Sequence, residues 1–122
     1  MAGMAINVFI VDDHHGFRLL AHKLLEADGY HVVGEASDGA TAVAAVAMLK
    51  PDLVLLDIQL PDQDGFEVTR QLMEHAPTCQ VVLISSRDAS DYGRCLKQCG
   101  ARGFIPKDQL CTAALTEALG NI

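Results

Sequence analysis

Apolar residues follow two alternating patterns along this chain of 122 residues. Short runs rich in Val, Ile and Leu are typical of strands that are buried on both faces of a parallel sheet. Longer stretches between them repeat apolar residues at the spacing of an amphipathic helix. The pattern predicts strands at 6–11, 31–36, 53–56, 80–85 and 103–105, and helices at 15–28, 39–49, 65–75, 89–99 and 109–119.

Local signals mark several helix ends. Ser37 and Asp38 are N-cap candidates for the second helix, which stops before Pro51. Gly29 follows the first helix, where a C-terminal glycine is common. The periodicity places four apolar residues on the inward face of that first helix: Phe17, Leu20, Leu24 and Leu25. Because strand and helix alternate throughout, we predict a doubly wound α/β fold, (βα)₅, with a parallel sheet.

Composition and charge narrow the class of protein. The length suits one domain, and we expect residues 1–5 to be a flexible N-terminus. The net charge of −7 argues against direct nucleic-acid binding, which requires a basic surface. No apolar run approaches the ~20 residues of a membrane span, and the start lacks the features of a signal peptide. We therefore expect a cytoplasmic protein.

The cysteines show neither a paired nor a zinc-like spacing. In a cytosolic protein such cysteines stay reduced and pack as small apolar side chains. We expect this role for all four, Cys79, Cys95, Cys99 and Cys111.

Polar residues cluster where the predicted strands end. Asp12 and Asp13 follow the first strand, Asp57 the third, Ser85 ends the fourth, and Lys107 follows the fifth. Ligands of doubly wound sheets bind outside the carboxyl ends of the strands. Three carboxylates brought together repel one another unless a cation binds, and Mg²⁺ prefers such oxygen ligands. A carboxylate can also attack phosphorus, with a lysine and a hydroxyl stabilising the phosphoryl group.

Four segments together resemble the response-regulator receiver family. They are FIVDD at 9–13, LVLLDIQLPDQDG at 53–65, VVLIS at 81–85 and GFIPK at 103–107. The resemblance extends over essentially the whole chain. It implies a flavodoxin-like sheet with strand order 2-1-3-4-5 and a signalling switch that catalyses only its own phosphorylation and dephosphorylation. The implied partner is a histidine kinase or phosphotransfer protein, and a homodimer is possible.

The resemblance also implies roles for individual residues. Asp57 would accept the phosphoryl group, while Asp12, Asp13, Asp57 and the backbone carbonyl of Gln59 would hold Mg²⁺, or Mn²⁺ in its place. Lys107 would pair with a phosphoryl oxygen.

The remaining implied roles belong to the switch. Ser85 would be the switch hydroxyl, and Phe104 the aromatic residue that changes rotamer on the output face.

The sequence departs from the common family pattern at three positions. Ser85 stands where threonine is commoner, and keeps the hydroxyl. Phe104 stands where tyrosine is frequent, so it has no phenol. Pro106 precedes Lys107, whereas family members usually carry a proline after the lysine, which leaves the pose of Lys107 open.

Other interpretations of these residues remain. His14 and His15 could join the carboxylates in a transition-metal site, although adjacent histidines at a helix start are more often solvated. The segment 62–65 resembles the start of a calcium loop but lacks the later ligands, so a turn is favoured. An aspartate-nucleophile phosphatase would need an acidic residue where Gln59 stands.

The output is less constrained than the site. The run VVGEASDG at 32–39 and the pair Lys107-Asp108 resemble receivers that precede a LuxR-type helix-turn-helix domain. The chain could be a fragment of such a transcription factor, a single-domain regulator, or a binding module that works without phosphorylation.

Overall fold

The computed structural model describes residues 6–86, 92–93 and 98–119. In these residues five parallel strands form one sheet in the order β2-β1-β3-β4-β5. The strands are β1 (Asn7–Val11), β2 (His31–Ala36), β3 (Leu53–Asp57), β4 (Gln80–Ser85) and β5 (Gly103–Pro106). The helices are α1 (His15–Ala27), α2 (Gly39–Leu49), α3 (Gly65–His75) and α4 (Thr112–Leu119). The predicted fold class and strand order are confirmed.

Most predicted bounds agree with the structure to within one residue. The predicted helix at 89–99 and the expected flexible terminus at 1–5 fall largely or wholly outside the described residues. The predicted helix at 109–119 is wrong at its start, because a 3₁₀ turn, Lys107–Gln109, comes first and α4 begins at Thr112. Cys111 supplies the cap, since its Sγ accepts a hydrogen bond from the Ala114 N–H at 3.4 Å.

The two faces of the sheet bury separate apolar clusters. Alternate residues of a strand point to opposite faces, so Phe9 belongs to the cluster under α2 and α3, whereas Ile10 belongs to the one under α1 and α4. Both residues are fully buried, as expected for a strand covered on both sides. Because the described helices cover both faces, a ligand reaches the sheet most readily at the carboxyl ends of its strands.

The inward face of α1 differs from the prediction at one residue. Leu20 is 61% exposed, while Ala21 and Leu25 are fully buried. The buried face runs through Phe17, Ala21 and Leu25, which are spaced four residues apart, and Leu20 lies about one helical step of 100° away from it. Apolar character alone therefore misplaced Leu20.

The cysteines are correctly predicted only in part. Cys79 is buried and Cys99 packs partly against the core, but Cys111 is exposed and caps α4. Burial raises the pKa of the Cys79 thiol to about 11, so this group stays protonated and unreactive. Cys95 lies outside the described residues.

Acidic side chains between 57 and 65 tie the helices to the site edge. The Asp64 carboxylate caps α3 by accepting the Glu67 N–H, and Asp38 caps α2 through Thr41 as predicted. Asp62 accepts the N–H groups of Gly39 and Ala40 at the start of α2. These contacts make 62–65 a structural connection between β3 and α3, as the sequence favoured.

No helix in the described part of the chain has both the length and the apolar character to cross a membrane.

Candidate functional site

The polar residues predicted from the sequence meet at the carboxyl edge of the sheet. Asp57 ends β3, Ser85 ends β4, and Asp12 and Lys107 come directly after β1 and β5. Backbone pairing continues past the strands, because the Asp12 N–H donates to the Ala36 carbonyl at 3.0 Å. The backbone of Asp12 is therefore held at this edge by a hydrogen bond to the neighbouring strand β2.

Lys107 lies between the two buried carboxylates of the site. Its Nζ is 2.6 Å from Asp12 Oδ2 and 3.3 Å from Asp57 Oδ2. The same nitrogen stands 4.8 Å from the centre of the Phe17 ring, a cation–π contact. Pro106 has φ −60° and ψ 140°, values that proline adopts without strain. A proline before Lys107, unusual in the family, is therefore compatible with the position of Lys107 in the site.

The pKa values of Lys107 and Asp57 follow from this arrangement. Burial favours the neutral form of Lys107, but the close approach of the ammonium to the Asp12 carboxylate and the negative charge of Asp57 outweigh burial and raise the pKa of Lys107. Burial also raises the pKa of Asp57, and the charge of Asp12 adds to the effect. The Gln59 N–H, 3.1 Å from Asp57 Oδ1, and Lys107 oppose that rise. One ammonium group thus only partly neutralises this pair of carboxylates.

Asp12 is fully buried, and one of its carboxylate oxygens accepts no hydrogen bond from the described residues. Its Oδ1 accepts the His14 N–H at 2.8 Å, whereas Oδ2 has no well-directed hydrogen bond. Lys107 Nζ lies 2.6 Å from Oδ2, which is close enough for an ion pair, but the angles do not suit a hydrogen bond. A buried carboxylate oxygen in this state is suited to a further cation.

The acidic group has the dimensions of a metal site. Ligand atoms of Asp12, Asp13, His14 and Asp57 all lie within 4.8 Å of one another. Three carboxylates supply the hard oxygen ligands that Mg²⁺ and Mn²⁺ prefer, so the residues present fit such an ion.

The two adjacent histidines take different positions. His14 Nδ1 lies 3.2 Å from Asp12 Oδ1 and 3.1 Å from Asp13 Oδ1. His15 is not in the acidic group that the described residues form, and its Nδ1 lies 3.4 Å from the Arg18 guanidinium. The alternative in which both histidines bind a metal therefore lacks its second ligand.

Gln59 reaches the site through its backbone. Its N–H donates to Asp57, and the residue pairs with Asp64 in an isolated antiparallel bridge. The role of its carbonyl as a metal ligand stays a prediction.

Ser85 contacts a residue that the sequence analysis did not select. The fully buried Ser85 hydroxyl lies 2.6 Å from the Tyr92 hydroxyl. The Tyr92 ring contacts Phe104 and Phe66, with ring centres 5.9 Å and 5.6 Å apart. No motif signals Tyr92, because its partner lies on the end of a strand that only the fold brings near.

Arg18 was also missed by the sequence analysis. Its Nη1 donates to the Asp12 backbone carbonyl at 2.5 Å, and its Nε pairs with Glu35 at 3.1 Å. These contacts fasten α1 to the end of β1 beside the acidic group. A lone arginine on an amphipathic helix gives no sequence signal for such a contact.

Known proteins match this arrangement. The profile of the family described as "Response regulator receiver domain" matches residues 8–119. The response regulator GacA of Pseudomonas aeruginosa is 35% identical over 103 residues, covering 84% of this chain. The signal receiver domain of NarL from Mycobacterium tuberculosis superposes with a TM-score of 0.84 at 33% identity, covering 97% of this chain and 99% of that one.

A third match is a solved complex with ligands. It is the CheX-CheY-BeF3-Mg complex of Borrelia burgdorferi, with a TM-score of 0.83 at 29% identity, covering 96% of this chain and 88% of the matched one.

The chain spans only part of the curated relatives that it matches. It corresponds to 48% of GacA and to 30–31% of relatives named protein-glutamate methylesterase/protein-glutamine glutaminase. The shared region is therefore one that accompanies different further sequence in different proteins.

Proposed function

Since this chain belongs to the response regulator receiver domain family of two-component signalling, we propose that it is a phosphoryl-accepting switch whose acceptor is Asp57. The observation that carries the proposal is the position of Lys107, whose ammonium group bridges the buried Asp12 and Asp57 carboxylates at the open edge of the sheet. A cation beside a buried carboxylate suits a site where further negative charge will be added.

The chemistry is transfer from a phosphohistidine of a histidine kinase or phosphotransfer protein. An oxygen of the Asp57 carboxylate forms a bond to phosphorus while the phosphorus–nitrogen bond of the donor breaks, and the departing imidazole takes up a proton. Asp57, which is 2% exposed, presents this oxygen at the carboxyl edge. Its Oδ1 is oriented by the Gln59 N–H, and its Oδ2 faces Lys107.

Asp12, Asp13, Asp57 and the Gln59 carbonyl would hold Mg²⁺, or Mn²⁺ in its place. When bound, the ion supplies positive charge that offsets the charge on the phosphoryl oxygens. Lys107 pairs with one of those oxygens, and the Ser85 hydroxyl donates a hydrogen bond to another. Phe104 changes rotamer with Ser85 and so alters the output face.

The output of this switch is transcriptional control through a DNA-binding domain outside this chain. The similarity to the relative named transcriptional regulatory protein DegU, of Brevibacillus brevis, supports this assignment, and the net charge of −7 fits a receiver that does not itself contact DNA. A single-domain receiver, or a module that binds without phosphorylation, is the alternative. In the proposed role the chain is cytoplasmic and catalyses only its own phosphorylation and dephosphorylation. Its partners are a histidine kinase or phosphotransfer protein and, in a homodimer, a second copy of this chain.

Intact mass after incubation with acetyl phosphate and Mg²⁺ tests the proposal. We expect the chain to gain one phosphoryl group, and to gain none with EDTA or as Asp57→Asn. Asp108→Asn is the matched control, because it removes an exposed carboxylate close to Lys107 and leaves the acceptor intact. If the wild type gains nothing from acetyl phosphate or from a phosphorylated kinase, the phosphoacceptor role is wrong and the phosphorylation-independent module takes its place.

A further inference from the structure

The Ser85 hydroxyl is held by a side chain outside the acidic group. Its hydroxyl lies 2.6 Å from the Tyr92 hydroxyl, a short hydrogen bond between two side chains. Ser85 is fully buried and Tyr92 is partly buried, so the bond lies partly out of contact with solvent. In this conformation the orientation of Ser85 is therefore set partly by Tyr92.

Tyr92 is itself anchored by two rings from different elements. The Phe66 ring, at the start of α3, meets it edge to face at an interplanar angle of 66°. The Phe104 ring, on β5, also contacts the Tyr92 ring, at an interplanar angle of 57°. Aromatic pairs of this kind contribute beyond the area that they bury. The phenol is consequently presented to Ser85 by packed rings.

Phe104 cannot provide a hydrogen bond to this group, because it has no hydroxyl. The phenol near Ser85 belongs to Tyr92, which comes after β4 in the chain rather than from β5. Any hydrogen-bonded link between Ser85 and the aromatic residues Phe66, Tyr92 and Phe104 thus passes through Tyr92.

We propose that Tyr92 is a positioning residue for Ser85, whose hydrogen bond stabilises the unphosphorylated orientation and breaks when Ser85 turns to the phosphoryl group. This inference rests on the proposed function. Side chains such as serine occupy staggered rotamers about 120° apart, and a change of rotamer moves the oxygen out of hydrogen-bond range of a fixed partner. The Tyr92 hydroxyl therefore opposes the active orientation.

Loss of the phenol should then favour the active orientation. A neutral hydrogen bond has a net stabilising effect that corresponds to roughly a three- to tenfold change in an equilibrium constant. Beryllofluoride is a stable substitute for a phosphoryl group. In the presence of Mg²⁺ we expect Tyr92→Phe to bind it roughly three- to tenfold more tightly than the wild type does, because the variant loses one hydrogen bond that opposes the active orientation.

Calorimetric titration of four proteins with beryllofluoride and Mg²⁺ tests the inference: wild type, Tyr92→Phe, Ser85→Ala and the double variant. We expect the gain from Tyr92→Phe to vanish in the Ser85→Ala background, because the bond is already absent there. Tyr30→Phe is the matched control, since Tyr30 is buried on the other face of the sheet, and its affinity should equal that of the wild type. Unchanged or weaker binding by Tyr92→Phe, or a gain that persists without Ser85, overturns the inference.

Tyrosine absorbance gives a second, independent readout. The chain has two tyrosines and no tryptophan, so Tyr30→Phe leaves Tyr92 as the single reporter. We expect beryllofluoride to shift the near-ultraviolet absorbance of Tyr92 in that variant, and not after Ser85→Ala is added. If no protein in either experiment binds beryllofluoride or takes up a phosphoryl group, the proposed function is wrong. If the wild type binds but Tyr92 gives no response, only the inference is wrong.

Discussion

Lys107 and Asp57 are 50 residues apart in the chain, and the Lys107 ammonium lies 3.3 Å from the Asp57 carboxylate. The same ammonium reaches Asp12, so one cation serves two buried anions. Removing it leaves both carboxylates without their charge partner in a region that water scarcely enters. The stability of the chain and the chemistry of its edge therefore depend on the same side chain.

Lys107→Ala should destabilise the chain when no metal is bound. We expect the free energy of unfolding in EDTA to fall by about 2 kcal/mol, because breaking a largely buried ion pair leaves an uncompensated charge. Urea denaturation measures the change. Lys23→Ala removes an exposed lysine of α1 and should cost far less. Equal losses for the two variants would contradict a special role for the Lys107 contacts.

Asp57→Asn should stabilise the chain at neutral pH in EDTA. The pKa of Asp57 is raised by burial and by the nearby Asp12 charge, so the folded state disfavours the ionised form. The stability that protonation of Asp57 contributes is present below its ordinary value of 3.8 and is lost as the pH rises through the raised folded value. Urea denaturation of both proteins, from below pH 3.8 to neutral pH, should give Asp57→Asn the larger free energy of unfolding, by a margin that grows with pH. An advantage that stays constant with pH would mean that ionisation of Asp57 is not its cause.

Mg²⁺ should raise the melting temperature of the wild type and leave Asp13→Asn almost unchanged. A ligand at ten times its dissociation constant stabilises the folded state by about 1.4 kcal/mol. Asp13 is exposed and belongs to the acidic group, so its loss should weaken the metal response without lowering the melting temperature in EDTA. Thermal unfolding with and without Mg²⁺ measures both effects. An undiminished response in Asp13→Asn would remove this residue from the ligand set.

Gly65→Ala, at the first residue of α3, should displace the backbone of the acceptor Asp57. A Cβ at this position would lie 2.6 Å from the Ile58 Cα and 2.8 Å from the Asp57 backbone oxygen, and backbone atoms cannot easily move aside. We expect a loss of about 2 kcal/mol in the free energy of unfolding, as for overpacking of a filled interior, together with slower phosphorylation.

Gly16→Ala is the matched control for that substitution. A Cβ there meets no atom within 4 Å, and the residue lies in α1. Alanine is the better helix former, so we expect a gain of about 0.5 kcal/mol in denaturant unfolding. If both variants lost stability equally, the close approach at Gly65 would not explain the result.

Local patterns were sufficient to determine much of this protein. The Val- and Leu-rich runs predicted every strand to within one residue, because a strand buried on both faces needs an unbroken apolar sequence. Chain direction then placed Asp12, Asp57, Ser85 and Lys107 at one edge, since parallel strands share their carboxyl ends. The sequence therefore determined the fold class and the edge of the sheet at which these four residues meet.

The tertiary structure decided which of those groups touch and which other residues join them. The rotation of α1 on the sheet left Leu20 exposed, and the start of α4 made Cys111 a capping residue. The contact of Ser85 with Tyr92 also arises only in the folded chain. Such contacts depend on angles between packed elements to within a fraction of a helical turn. The periodicity of a single segment carries no information about its neighbours, and therefore could not predict them.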